Sequence, residues 1–373
     1  MISGTSLDKQ YLLVTTHYAP DFHYGGVVQC CYDLLPYLNK YGIFRISAVS
    51  KNPMQVKKYM AGKGHCYKSN FFHRYGLSVP AVFGLWRDVK MADIIYIAGT
   101  LPFPTTLAQI YAVLQKKPFA VATHGLTAWS MNYKKWRKLL YFSLLLFPLM
   151  RKAKFIHITS VAEERLLKLK GFTNTLMISN GISLEEFNDL PSRDDNTKFV
   201  FLFLGRMGKE KGLDILIQAY REFCNTFGQG QHKLLLVGPD LQGYLKSLSI
   251  NYANENIEYN PGVYGPDKLH LIRNADVVVL PSYSENFGNV VAEAFACERP
   301  VITTTGTPWK EIETVGCGLY VTPDVSALLD AIKVMYQKTP AEREQMGKRG
   351  RSYVFANFDW EKKAKEIFDH LQA

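Results

Sequence analysis

The sequence predicts an α/β protein of two domains, each a doubly wound parallel sheet. Three observations predict it. At 373 residues the chain is long enough for two separate cores. Short apolar runs alternate with helical stretches in both halves, the pattern of strands joined by crossover helices. Several of those runs end in a glycine or polar turn that opens a helix, where a parallel sheet keeps its ligand sites.

In chain order, Tyr11–Thr16 reads as a buried strand running into His17-Tyr-Ala-Pro-Asp-Phe-His-Tyr-Gly-Gly-Val27, with a helix to about Tyr41. Gly25 and Gly26 at that helix start would let the backbone approach a phosphate, although a glycine pair alone is equally a plain turn. Strands are expected near Phe44–Val49, Asp93–Ala98 and Pro118–Thr123, the last delivering His124 to the carboxyl edge of the sheet. A lone histidine there is more often structural than functional. Phe155–Ser160 is a further strand, followed by a helix with Glu163, Glu164 and Arg165, and Asn180-Gly181 is a turn signal. Residues 190–197, rich in Pro, Ser, Arg and Asp, read as a linker.

The second half opens with a strand ending in Gly205-Arg206, then Lys209-Glu-Lys-Gly212 at the start of a helix to about Phe227. Arg206 and Lys211 together with a helix N-terminus suit a diphosphate; the alternative is a solvated basic loop. Lys233–Val237 leads into Gly238-Pro239, Asn256–Tyr259 follows, and Pro300–Thr304 is a late strand. Helices over 324–336, 341–356 and 359–371 close the chain.

Between them, the run Ala275–Leu280 feeds Pro-Ser-Tyr-Ser-Glu285-Asn286-Phe287-Gly288-Asn289 and then an apolar helix carrying Glu293. Glu285 falls in the loop and Glu293 about two turns into the helix. A carboxylate on so apolar a helix is costly to bury without donors, and the vicinal hydroxyls of a ribose or a sugar would supply them. Each glutamate alone could equally complement the helix dipole or face solvent.

The two glutamates separated by seven residues, inside Ser284-Glu-Asn-Phe-Gly-Asn-Val-Val-Ala-Glu-Ala294, resemble the retaining glycosyltransferases of family 4. That family has the GT-B architecture, two Rossmann-like domains facing a central cleft. The resemblance implies a paired-glycine loop, here Gly25-Gly26, on the donor's phosphates and sugar, and a histidine, here His124, on the donor sugar. It implies Arg206 and Lys211 on the pyrophosphate, Glu285 on the sugar and Glu293 on the ribose. Gly238, Asn286, Phe287, Gly288 and Asn289 complete the donor-binding set, and 261–264 are candidates for the base. Thr305-Gly-Thr-Pro-Trp-Lys-Glu311 is similar to the family's Gly-x-Pro-Glu loop, with Trp309 and Lys310 inserted, which leaves the role of Glu311 open. The implied layout is 1–188 as the acceptor-side domain, 189–356 as the nucleotide-sugar domain, and 357–373 as a helix crossing back to the first.

Charge divides the halves. Residues 1–187 hold 23 basic and 9 acidic residues, a net of +14, and residues 188–373 hold 21 and 24, a net of −3. The cationic half points to an anionic surface or ligand. Lys134, Lys135, Trp136, Arg137 and Lys138 precede the twelve-residue, mostly apolar run Leu139–Met150, which Pro148 should bend or end late. This segment is too short to span a bilayer; it suits an interfacial helix or a buried helix with snorkelling cations. The six cysteines show no metal-ligand or disulfide spacing, and Met1–Gln10 lacks a signal peptide's apolar core, so a cytoplasmic protein, peripheral on the inner membrane face, is expected.

The expected activity is transfer of a sugar from a nucleotide diphosphate-sugar to a lipid-linked or oligosaccharide acceptor, with retention. No metal or other cofactor is expected, for no His-x-x-x-His or Asp-x-Asp pair is present. The alternatives are a non-catalytic nucleotide-sugar-binding subunit, a sugar-nucleotide epimerase, and a nucleic-acid binder using the basic first half, the last less favoured for want of any reading motif.

Overall fold

The computed structural model of the chain describes residues 9–60, 62–125, 140–194, 198–228, 230–241, 243–250 and 255–373. These fold into two compact units, 1–181 with 360–373, and 182–359.

In the first unit, strands β1 (Gln10–Thr15), β2 (Ile43–Ser50), β3 (Gly64–Lys68), β4 (Ile94–Ala98), β5 (Phe119–Ala122), β6 (Ile156–Ile158) and β7 (Thr175–Met177) form one parallel sheet. Its order is β3-β2-β1-β4-β5-β6-β7. Successive side chains of a strand point to opposite faces. Tyr11 and Leu13 therefore enter one core with the helices Gly26–Leu38 and Trp360–Gln372, while Leu12 and Val14 enter the other with Ala81, Leu85, Phe142 and Leu146. Burial on both faces is why β1 reads as an unbroken apolar run.

The second unit holds β8 (Phe199–Leu204), β9 (His232–Val237), β10 (Ile257–Asn260), β11 (Val277–Leu280), β12 (Val301–Thr304) and β13 (Gly318–Val321). They pair in parallel in the order β10-β9-β8-β11-β12-β13. The strand order reverses between β8 and β11, so the loops after these two strands flank the switch point where such sheets bind ligands.

The division at Gly181–Ile182 precedes the expected boundary because Ile182 and Phe187 bury in the second unit's core. Gly181 is required there: a Cβ would lie 2.6 Å from the Trp360 ring. The closing helix belongs to the first unit through Trp360, Ala364, Ile367, Phe368 and Leu371, one apolar face at helical spacing. Strands β3 and β13 and the helices Pro53–Tyr59, Val79–Met91 and Phe103–Leu114 were not legible in the alternation. The run after Leu139 is helical to Met150, with Phe142, Leu146, Phe147 and Met150 buried and Leu144 exposed. Among the described residues no helix is long and apolar enough to cross a membrane.

Candidate functional site

Four loops meet at the carboxyl edge of the second sheet, and glycines let them touch. Gly212 has φ +67°, and a Cβ on it would lie 2.1 Å from the Pro281 carbonyl oxygen. Gly238 has φ +138°, and its Cβ would meet the Gly205 oxygen at 2.0 Å. A Cβ on Gly306 would lie 2.4 Å from the Ser282 oxygen. Backbone bonds hold the cluster: Tyr283 N–H to Glu210 O (3.0 Å), Met207 N–H to Pro239 O (3.0 Å) and Glu285 N–H to Gly306 O (2.7 Å). No side chain larger than hydrogen fits where these backbones cross.

The structure brings Lys211 and Glu285 together. The Lys211 ammonium donates to Glu285 Oε1, which also accepts from the buried Ser282 Oγ at 2.9 Å. Arg206 Nη2 lies 3.4 Å from Glu210 Oε1, four residues on in the same loop. Each cation of the proposed diphosphate site thus already faces a carboxylate. An ammonium has three donors and a guanidinium five, so neither is exhausted by one bond. Glu210 and Ser282 were missed by sequence reasoning, although Glu210 stands openly between Lys209 and Lys211.

Helix Asn289–Ala296 starts after Gly288, which takes φ +78° as its N-cap. Glu293 is its fifth residue, so it stands just over one turn in rather than two, because the helix starts at Asn289. Its Oε1 accepts from Lys268 Nζ at 2.8 Å, from the helix Pro266–Asn274. Lys268 was not anticipated; its single positive charge at unremarkable spacing carries no signal. The Phe287 side chain is buried against Trp309 (5.1 Å) and Phe358 (5.5 Å). Trp309, itself buried, donates its indole N–H to Phe287 O. Of the two inserted residues Trp309 therefore anchors the loop, while Lys310 and Glu311 are exposed. In the expected base region Gly262 has φ +137° and donates its N–H to Asn260 Oδ1 at 3.0 Å.

In the first unit, Gly25 (φ +113°) caps the helix Gly26–Leu38, and the preceding Tyr24 stacks on His17 with centroids 3.6 Å apart. His124 follows β5 in the left-handed region, φ +42°. That region is uncommon for a non-glycine residue and clusters at functional sites. Its Nε2 is buried and has no hydrogen-bond partner among the described residues. Burial first, then the neighbouring His157, lowers the His124 pKa to about 3, so the ring is neutral at pH 7.

Beneath it, the fully buried Glu163 fixes the turn. Its Oε1 accepts from Thr123 Oγ1 (2.6 Å) and Gly125 N–H (3.0 Å), the residues on either side of His124. Its Oε2 accepts from Thr159 N–H (2.9 Å) and Thr159 Oγ1 (3.2 Å). His157 packs edge-on to His124 at 6.0 Å. It accepts from Tyr96 at Nδ1 (2.6 Å) and donates from Nε2 to Ile178 O (2.7 Å), the neutral tautomer these partners require. Ser160-x-x-Glu163 has the spacing of a capping box, which hid this role: Ser160 does cap the helix, but the carboxylate crosses to the turn after the neighbouring strand β5.

Lys134, Lys135, Trp136, Arg137 and Lys138 lie outside the described residues. Among the described residues no three His, Cys, Asp or Glu side chains gather as a metal site would need.

Residues 185–353 match the family Glycosyl transferases group 1. The chain is 33% identical over 183 residues to a D-inositol 3-phosphate glycosyltransferase of Arthrobacter sp. (strain FB24), covering 47% of this chain and 43% of that protein. It is 31% identical over 221 residues to the capsular polysaccharide biosynthesis glycosyltransferase CapM of Staphylococcus aureus, covering 54% and 53%. The chain thus spans about half the length of these curated relatives. Among solved structures, Anabaena HepE in complex with UDP and glucose superposes with a TM-score of 0.77 at 19% identity, covering 98% of this chain and 99% of that one. Sucrose-phosphate synthase from Thermosynechococcus elongatus gives 0.74 at 19%, covering 97% and 98%. Nearly all of the second unit thus matches the Glycosyl transferases group 1 family, and the two Rossmann-like parallel-sheet units give the chain the GT-B fold.

Proposed function

We propose that the protein transfers a sugar from a UDP- or GDP-linked donor to a hydroxyl of a lipid-linked saccharide, retaining anomeric configuration and needing no metal. The observation that carries this reading is the Lys211–Glu285 pair at the sheet's switch point, joining residues 74 positions apart in sequence. In this reading Lys211 and Arg206 hold the diphosphate and stabilise charge as it departs, a preorganised electrostatic contribution that is usually the largest in catalysis. Glu285, oriented by Ser282 and by its backbone bond to Gly306, takes the donor sugar's hydroxyls. Glu293 takes the ribose hydroxyls and the helix N-terminus at Asn289 faces the phosphates. In the first unit, Gly25-Gly26 would meet phosphate and the unpartnered Nε2 of neutral His124 a sugar hydroxyl.

The name of the CapM relative supports a surface-polysaccharide acceptor. Such an acceptor is membrane-borne, so the protein would work on the cytoplasmic face of the membrane. The paired cations and carboxylates favour an enzyme over a passive binding subunit, because each pair is placed to exchange its partner for a ligand.

The test is transfer by purified protein. Lys211→Ala and Glu285→Ala should each lower it by about a hundredfold or more, with EDTA leaving the wild type unaffected. Wild-type turnover by either variant rejects the assignment. Thermal protection by a panel of UDP- and GDP-sugars identifies the donor.

A further inference from the structure

The first unit carries an exposed aromatic surface that neither the fold nor the candidate site uses. Phe71, Phe72, Tyr75, Val79, Phe83 and Trp86 are all exposed, Phe72 by 73% and Phe83 by 76%. The helix Val79–Met91 buries Ala81, Leu85 and Val89 on one side and turns Val79, Phe83 and Trp86 outward on the other. A helix covering a core places polar residues on its outer face; this one places aromatics there.

Looseness does not account for the exposure. Asn70 N–H and Phe71 N–H donate to Leu77 O, Val79 N–H to Asn70 Oδ1, and Ser78 Oγ to Lys68 O. Phe72 is held at φ +43°, a backbone conformation that disfavours its side chain, at the tip of this ordered loop. The structure accepts local strain to project a phenylalanine into solvent.

The surface is also cationic. Lys51–Lys90 contains eight cations and one acid, Asp88. Asp88 is buried and engaged by Ser47, Tyr67 and His65. Lys68, Arg74 and Lys90 are exposed and in no ion pair among the described residues. We propose that this surface docks the protein on an anionic lipid bilayer, with Phe71, Phe72 and Phe83 entering the boundary of headgroups and acyl chains and Lys68, Arg74 and Lys90 meeting lipid phosphates. Aromatics flanked by cations are what an interfacial element needs. A second copy is a poor occupant, since a twofold contact would set like charges face to face. A saccharide is no better, because a small-molecule site buries its ligand between walls, whereas these rings stand exposed.

The loop is seated on the sheet edge that leads to Gly25-Gly26. A Cβ on Gly76 would lie 2.9 Å from Thr16 and 3.0 Å from Pro104, and the His17 ring, on which Tyr24 stacks, hydrogen-bonds Val49 O. Docking would therefore bring lipid beside the first unit's candidate residues. That this serves a membrane-borne acceptor rests on the proposed transferase reading; the docking itself does not.

Flotation with phosphatidylcholine vesicles, with and without phosphatidylglycerol, tests it without donor or acceptor. Wild-type protein should float with the anionic vesicles only. F71S/F72S/F83S should weaken binding by about tenfold or more. K68Q/R74Q/K90Q should weaken it on the order of a hundredfold, and added salt should mimic that loss. Melting temperature and protection by sugar nucleotide, unchanged in both variants, establish that fold and donor site are intact. Flotation of F71S/F72S/F83S equal to wild type overturns the proposal, as does a wild type that ignores anionic vesicles. Concentration-dependent self-association abolished by the aromatic variant, without vesicle binding, assigns the surface to a second copy instead.

Discussion

Glu163 shows how much one buried carboxylate can organise. It joins the turn around His124 to the start of the helix Val161–Leu169 by accepting from backbone and hydroxyl donors on both sides. Glu163→Gln puts an amide N–H₂ against donors that need an acceptor. It should destabilise the protein by about 2–3 kcal/mol, read by urea unfolding, and lower kcat more than it raises the donor KM. A kcat equal to wild type would show that the turn does not serve the reaction. His124 gives a pH signature. Its folded pKa is about 3 against about 6.5 unfolded, so between those values the unfolded state binds a proton that the folded state does not. Stability is therefore lost as pH falls from 6.5 toward 3. His124→Gln should make the unfolding free energy less steep with pH across that window, by up to about one proton. An unchanged slope would mean that the ring is not held neutral.

At the scale of elements, the site is made by loop crossings rather than by the strands themselves. Gly212 combines a left-handed φ with a Cβ position 2.1 Å from a carbonyl oxygen, so it cannot accept alanine without moving one loop. Gly212→Ala should cost about 2 kcal/mol or more and reduce protection by sugar nucleotide, because Lys211 immediately precedes it. A variant that melts and binds like wild type would show that the crossing is dispensable. Gly205 and Gly238 were visible in the sequence as turns after strands, and Gly212 as a helix start. That they pack against one another and against Pro281 was not, since each clash involves residues far apart in the chain.

For the whole molecule, the closing helix Trp360–Gln372 is the element whose neighbours lie farthest away in sequence. Of its five buried apolar side chains, the large ones, Trp360, Ile367, Phe368 and Leu371, each contribute about 1.5–3 kcal/mol, a sum comparable to the stability of an entire domain. Deleting residues 360–373 should therefore unfold the first unit and leave the second, whose core contains none of them. Limited proteolysis would read this as loss of the first half with survival of a fragment near 182–359. Equal resistance of both halves would contradict the placement of the helix.

What the sequence determined is what depends on local pattern. Apolar runs ending in Gly-Arg, His-Gly or Ser-Glu-Asn-Phe-Gly mark strands that deliver polar groups to a sheet edge, and these placed β5, β8 and β11 along with Arg206, His124 and Glu285. What only the tertiary structure decided is how charges are shared: Lys211 with Glu285, Lys268 with Glu293, and Glu163 with the turn around His124. The reason is physical. A strand or turn announces itself through neighbours a few residues away, whereas the partner of a buried charge is chosen by sheet order, which brings together residues that share no periodicity.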